Sequence, residues 1–378
     1  MSKTLELAMA LLEKPSITPK DEGCQALLAE RLKKLGFEIT HFPINQVSNL
    51  WAKKGTNIPT LCFAGHTDVV PTGPLNEWTS PPFTPTIRGD KLYARGAADM
   101  KSSIAAMVTA TERFIEKKPS HEGSIAFLIT SDEEGPSIDG TQAVLKQLEA
   151  LKQIPEWCLV GEASSTEKLG DTIKVGRRGT LTCFLKILGV QGHVAYPQLA
   201  DNPIHKAMKP IEEITSFKWD EADEFFPATS LQFSNIHSGT GANNVIPGTL
   251  EAVFNLRFSP KTKPEYIQQT VEGILDKHGC QFECHWVLGG LPFLTPKDST
   301  FVKNVAKTIE SKMGQAPLHS TSGGTSDGRF FALYGTDVVE VGPNNASIHQ
   351  VDEWISVEEL DKLSELYEAI LTATLSRK

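Results

Sequence analysis

The run Leu61-Cys62-Phe63-Ala64-Gly65-His66-Thr67-Asp68 decides how the chain is read. Five uncharged residues, small or apolar, form a segment of strand length and deliver a histidine and a carboxylate at their end. An apolar run this short has the length of a strand. Because side chains alternate on an extended backbone, His66 and Asp68 then share one side. Outward from this run the same grammar repeats. Helical patterns at Thr4 to Lys14, Gly23 to Leu35 and Ser102 to Lys117 alternate with apolar runs at Leu61 to Val70 and Ser124 to Thr130. This alternation predicts an α/β fold, a sheet with helices on its faces.

The pattern changes near Thr180. A strand from Thr180 to Val190 is followed by a helix from Pro203 to Phe217 and strands from Thr229 to His237 and Thr249 to Phe258. A helix from Pro264 to His278 and a strand from Cys280 to Leu288 complete the series. The order βαββαβ is that of the ferredoxin-like split unit, a two-layer domain in its own right. After Leu291-Pro292-Phe293 the α/β alternation resumes, with helices at Ser299 to Lys312 and Val357 to Leu375 around the apolar run Asp337 to Val341. The expected organisation is a first domain over 1–178, an inserted domain over 179–292, and the rest of the first domain over 293–378.

Composition narrows the functions available. Lys plus Arg at 37 against Asp plus Glu at 46 leaves a net charge of −9, a poor surface for tracking nucleic-acid phosphates. No apolar stretch approaches the roughly 18 residues of a membrane span. Glu6 interrupts the apolar N-terminal residues, so an amphipathic helix is expected there rather than a secretion signal. Six scattered cysteines do not make a disulfide framework and point to the cytoplasm. His278, Cys280, Cys284 and His285 could be taken for a zinc knot. However, Cys280, Phe282, Cys284 and Trp286 alternate with polar neighbours, as on a half-buried strand. There the two thiols stand about 13 Å apart.

The chemistry gathers where α/β sheets present ligands, at strand ends and in the loops just after them. His66 and Asp68 end one strand. Asp99 lies in the turn Arg95-Gly96-Ala97-Ala98-Asp99-Met100-Lys101, and Glu133 and Glu134 follow the strand Ser124 to Thr130. Glu162 follows Trp157 to Gly161, and His349 follows Ser347-Ile348. Singly, each has an ordinary reading: a hydrogen-bonded histidine, a helix cap, a solvated loop. Their recurrence at strand ends argues for a shared site. Two imidazoles with three carboxylates suit zinc or cobalt better than magnesium or calcium. Asp99 could bridge two such ions, and a hydroxide would then be available near neutral pH. Glu133, beside a ligand but not needed as one, is placed to act as base, and the Asp68 carboxylate to orient His66.

Gly65-His66-Thr67-Asp68-Val69-Val70-Pro71, Gly96 to Lys101, Ser131 to Gly135 and Gly161-Glu162 together resemble the M20 family of two-zinc amidohydrolases and exopeptidases. The likeness runs nearly end to end. It implies a zinc-hydrolase catalytic domain with a mixed, helix-flanked sheet, and a βαββαβ dimerisation or lid domain. It also implies one zinc on His66 and Glu162, a second on Glu134 and His349, Asp99 between them followed by a cis peptide, and Glu133 as general base. Cobalt is expected to substitute for zinc. In the family the inserted domain pairs with its copy, so His193 is expected to act in the partner's active site as a donor to the oxyanion.

Further stretches extend the resemblance: Glu134 to Thr141, Gly176 to Gly179, Gly192 to Pro197 and Ser322 to Phe330. They imply hydrolysis of N-succinyl-LL-2,6-diaminopimelate to succinate and LL-2,6-diaminopimelate, a step toward lysine and cell-wall precursors. Arg177, Tyr196, Asn243, Asn244, Arg257, Gly324, Thr325 and Asn345 match the positions the family uses around substrate, Arg being suited to paired contacts with carboxylate. Another M20 activity, such as acetylornithine deacetylase, aminoacylase or dipeptidase, and a non-catalytic metal-binding homologue remain as alternatives.

Overall fold

The computed structural model describes residues 1–376. The chain forms two compact units: Met1–Gly176 with Leu294–Ser320 and Ser326–Lys378, and Arg177–Phe293 with Thr321–Thr325.

The first unit is built on an eight-stranded mixed sheet. Its strands lie in the order Glu38–His41, Asn49–Lys54, Ser124–Thr130, Thr60–His66, Trp157–Val160, Asp337–Glu340, Thr172–Lys174 and Leu318–Ser320. Ser124–Thr130, Thr60–His66, Trp157–Val160 and Asp337–Glu340 run parallel to their neighbours in this series. Every residue of Thr60–His66 and of Ser124–Thr130 is buried, which is why these strands read as unbroken apolar runs rather than as alternation. The helices Lys3–Leu12, Cys24–Lys34, Lys101–Lys117, Thr300–Met313 and Val357–Leu375 contribute to one continuous apolar core with Phe63, Phe127 and Tyr367. A smaller sheet of Thr86–Arg88, Lys91–Tyr93 and Trp354–Ser356 stands apart from the large one.

The second unit carries four antiparallel strands in the order Ser230–Ser238, Thr249–Phe258, Gly179–Leu188, Gln281–Gly290. With the helices Pro203–Ser216 and Pro264–Lys277 between them in sequence, this is the ferredoxin-like arrangement. Leu181, Cys183, Leu185 and Ile187 alternate inward against Leu250, Phe254, Ile267 and Val271, as the two-residue strand period requires. Cys280 joins the same core with Cys284 packed against it, while Gln281, Glu283 and His285 are exposed. Thr321–Thr325 groups with this second unit, outside the 179–292 segment read from the sequence. Thr321 donates its hydroxyl proton to the Phe225 carbonyl.

Candidate metal centre

The parallel strands aim their ends at one place. Thr60–His66 delivers His66, Ser124–Thr130 leads into Glu133 and Glu134, and Trp157–Val160 into Glu162. Asp99 sits just before the helix Lys101–Lys117, and the Asp99–Met100 peptide is cis. His349 occupies a loop with its backbone in the left-handed region, φ 61°.

Asp99 lies between the two imidazoles. Its Oδ1 is 3.2 Å from His66 Nε2, and its Oδ2 is 3.2 Å from His349 Nε2. His66 Nε2 is also 3.6 Å from Glu162 Oε1, and His349 Nε2 is 3.0 Å from Glu134 Oε1. Donor atoms of His66, Glu133 and Glu162, and likewise of His66, Asp99 and Glu134, lie within 4.8 Å of one another. Ligand atoms around a tetrahedral ion at about 2.0–2.1 Å stand about 3.3 Å apart, so these separations suit metal ligation.

Electrostatics agrees with that reading. The site is crowded with buried carboxylates. Burial, then the charge of Asp99, drives the Glu162 carboxyl well above its usual range. Burial pushes Glu133 up to about 8, with His66 pulling it back and Asp327 and Glu134 adding to the rise. Hydrogen bonds to Asp99 and Glu134 push His349 up to about 10. For His66 burial opposes the proton, but Asp99, Glu162 and Asp68 outweigh it and raise its pKa. Burial likewise works against charge on Asp99, and the two imidazoles overcome it, holding the carboxyl below its usual range. Dications there would satisfy the same carboxylates and hold the imidazoles as neutral ligands. His66, Asp99, Glu134, Glu162 and His349 therefore form a donor set able to hold metal ions.

Asp68 orients His66 through a different atom from the one expected. The Asp68 backbone oxygen is 2.8 Å from His66 Nδ1, while its carboxylate is 3.6 Å away. That carboxylate accepts the backbone N–H groups of Glu133 and Glu134, at 3.3 and 3.0 Å. Burial raises its pKa to about 6.

Five nearby residues were missed in the sequence. Arg329 Nη1 is 3.8 Å from Glu133 Oε1, Thr141 donates to buried Asp327 at 2.6 Å, and Arg95 and Glu353 form a buried ion pair at 2.8 Å. No spacing motif marks a charge as buried, so only their proximity in the fold reveals them.

The expected substrate residues are divided between the two units. In the second unit, His193 pairs with Val245 in a two-stranded ribbon, and its Nδ1 accepts the Ala195 N–H at 3.0 Å. The Tyr196 ring is 5.7 Å from the imidazole, and the Asn244 carbonyl accepts the Val194 N–H. His193, Tyr196, Asn243 and Asn244 are all exposed. Arg177 is buried and donates to the Ser322 carbonyl at 2.9 Å, with its guanidinium against Gly323; Gly324 and Thr325 follow in the same segment of the second unit. Arg257 pairs in register with Thr180 and Ser230. Asn345 lies in the first unit, its N–H on the Ser165 carbonyl.

Residues 62–373 match the model of peptidase family M20/M25/M40. A succinyl-diaminopimelate desuccinylase of Acinetobacter baumannii (strain SDF) is 56% identical over 376 residues, 99% of either chain. One of Thioalkalivibrio sulfidiphilus is also 56% identical, over 99% of this chain and 100% of its own. Among solved structures, the M20 family metallo-carboxypeptidase Sso-CP2 of Sulfolobus solfataricus superposes with a TM-score of 0.84 at 22% identity, covering 98% of this chain and 99% of its own. YXEP of Bacillus subtilis, described as a dinuclear metal binding peptidase of the M20 family, has a TM-score of 0.72 at 17% identity, covering 98% and 97%. With a family match across most of its length and relatives more than half identical from end to end, this chain belongs to peptidase family M20/M25/M40.

Proposed function

We propose that the chain hydrolyses N-succinyl-LL-2,6-diaminopimelate to succinate and LL-2,6-diaminopimelate, using two zinc ions that cobalt can replace. The observation that carries the chemistry is Asp99, which presents one carboxylate oxygen to each of two histidines, with Glu133 grouped beside His66 and Glu162. The substrate is supported by full-length identity to desuccinylases of that name.

His66, Asp99 and Glu162 would hold one ion, and Asp99, Glu134 and His349 the other. When bound, zinc supplies Lewis-acid polarisation of the amide carbonyl and makes water acidic enough to lose a proton near neutral pH. Glu133 accepts one proton from the attacking water and passes it to the amide nitrogen as the C–N bond breaks. The new C–O bond leaves the succinyl fragment as a carboxylate, its second water-derived proton ending on the freed amine. The Asp68 carboxylate, holding the N–H groups of Glu133 and Glu134, keeps base and ligand in register.

His193 belongs to the second unit, whereas every proposed metal ligand belongs to the first. We assign His193 to the neighbouring site of a homodimer paired through the inserted domain, where its ring donates a hydrogen bond to the developing oxyanion. Arg177 and Arg257, with Tyr196, Asn243, Asn244, Gly324, Thr325 and Asn345, are assigned to the substrate and its three carboxylates. All six cysteines are unpaired, in keeping with a reducing compartment, and we place the reaction in the cytoplasm. No helix among the described residues is long and apolar enough to cross a membrane.

The test is chelation, remetallation with zinc, and side-by-side assay of succinyl-diaminopimelate and acetylornithine. Turnover of the first alone is expected. Turnover of acetylornithine alone would overturn the substrate assignment while keeping Glu133 and the ligands.

A further inference from the structure

Just behind the metal centre lies an ion pair that touches no ligand side chain. Glu353 is fully buried and Arg95 nearly so. Each oxygen of Glu353 takes two donors: Oε1 accepts the N–H of Ala98 and of Asp99, at 2.8 and 3.0 Å, and Oε2 accepts the N–H of Gly96 and Arg95 Nη1, at 2.9 and 2.8 Å. The turn that carries Asp99 is thus tied to one carboxylate.

Arg95 reaches the other way. Its Nη1 also donates to the Gln350 carbonyl at 3.0 Å, and Nη2 lies 3.5 Å from the His349 carbonyl and 3.3 Å from that of Pro71. His349 has φ 61°, a region that a residue with a side chain occupies only when its surroundings hold it there. The guanidinium on the carbonyls of residues 349 and 350 supplies such a hold. Pairing of Lys91–Tyr93 with Trp354–Ser356 places Arg95 and Glu353 just beyond its ends, so the two loops meet at a fixed register.

We propose that the Glu353–Arg95 pair is a positioning device that fixes the separation between the Asp99 carboxylate and His349, and so the affinity and geometry of the ion they share with Glu134. The inference rests on the two-metal reading of those ligands. The charge and fork of the pair both matter. In Glu353→Gln one of the two acceptor oxygens becomes an NH2 group facing two N–H donors, whichever way the amide is turned. Arg95→Lys keeps the ion pair but cannot reach Glu353 and both loop carbonyls in one plane.

The experiment is calorimetric titration of metal-free wild type, Glu353→Gln and Arg95→Lys with zinc, together with the visible absorption of each protein loaded with cobalt. Wild type is expected to take two ions. Both variants are expected to take the first and to bind the second about 10–100-fold more weakly, the range for partners of ligand groups, with an altered cobalt spectrum. A purely structural pair would lower the unfolding temperature and leave second-ion affinity and spectrum at their wild-type values, which would overturn the proposal. If Glu353→Gln does not fold, Arg95→Lys decides by the same two readouts. A wild type that binds no zinc would instead overturn the metal reading beneath it.

Discussion

Glu133 is a carboxylate whose burial pushes its pKa up to about 8, and whose work as a base requires the ionised form. Replacing it by Gln preserves its shape and removes its proton chemistry. Glu133→Gln is expected to lower kcat about 100-fold or more while the zinc count per chain, measured by metal analysis, stays at the wild-type value. Gly342 is a second single-residue test. A Cβ there would lie 2.1 Å from the Glu162 carbonyl oxygen and 2.6 Å from that of Gly161, so Gly342→Ala must displace backbone next to a proposed ligand. A loss of about 1–3 kcal/mol in denaturant unfolding, with weaker zinc binding, is the expected result. At this scale the candidate ligands could be picked out because His and carboxylates stood at strand ends or in the loops between elements. The role of Asp68 was only half legible, since which of its oxygens meets His66 depends on loop geometry.

Among elements, those with an apolar run or a clear helical stripe could be read, and several others could not. Ser124–Thr130 and Val357–Leu375 have the bounds their patterns predict, since burial on two faces or one stripe writes itself into composition. The helix Thr141–Ala150 was not foreseen. It starts after Gly140, which offers no capping side chain, and the three-residue strands Thr86–Arg88, Lys91–Tyr93 and Trp354–Ser356 are too brief for periodicity to register. One prediction belongs here. Where the strands Ser230–Ser238 and Thr249–Phe258 meet their connecting loops, Asp220 accepts hydrogen bonds from Thr229, Ser259 and Thr262. Burial opposes its charge, but these bonds prevail and hold its pKa below the ordinary value. A depressed folded pKa gives stability that is present above the unfolded value of about 3.9 and is lost as pH falls through the folded one. Thermal unfolding of Asp220→Asn is therefore expected to be lowered near neutrality and to depend less on pH in the acid range than wild type.

For the whole molecule, the assignment of His193 to a partner's site makes inactivation complementable. A mixture of inactive Glu133→Ala and His193→Ala chains, after subunit exchange, is expected to recover about a quarter of wild-type sites, one competent site in each hybrid dimer. No recovery after confirmed exchange would count against the shared site. The sequence by itself determined the α/β and βαββαβ patterns and singled out the candidate metal-site residues, because hydrophobic periodicity and strand-end chemistry are local properties that a single chain carries in order. Tertiary structure alone decided that both oxygens of Asp99 face histidines from strands and loops far apart in sequence. It also decided that Glu353 and Arg95 are buried beneath that turn. Burial and approach between distant residues arise only when the elements pack, and no spacing along the chain encodes them.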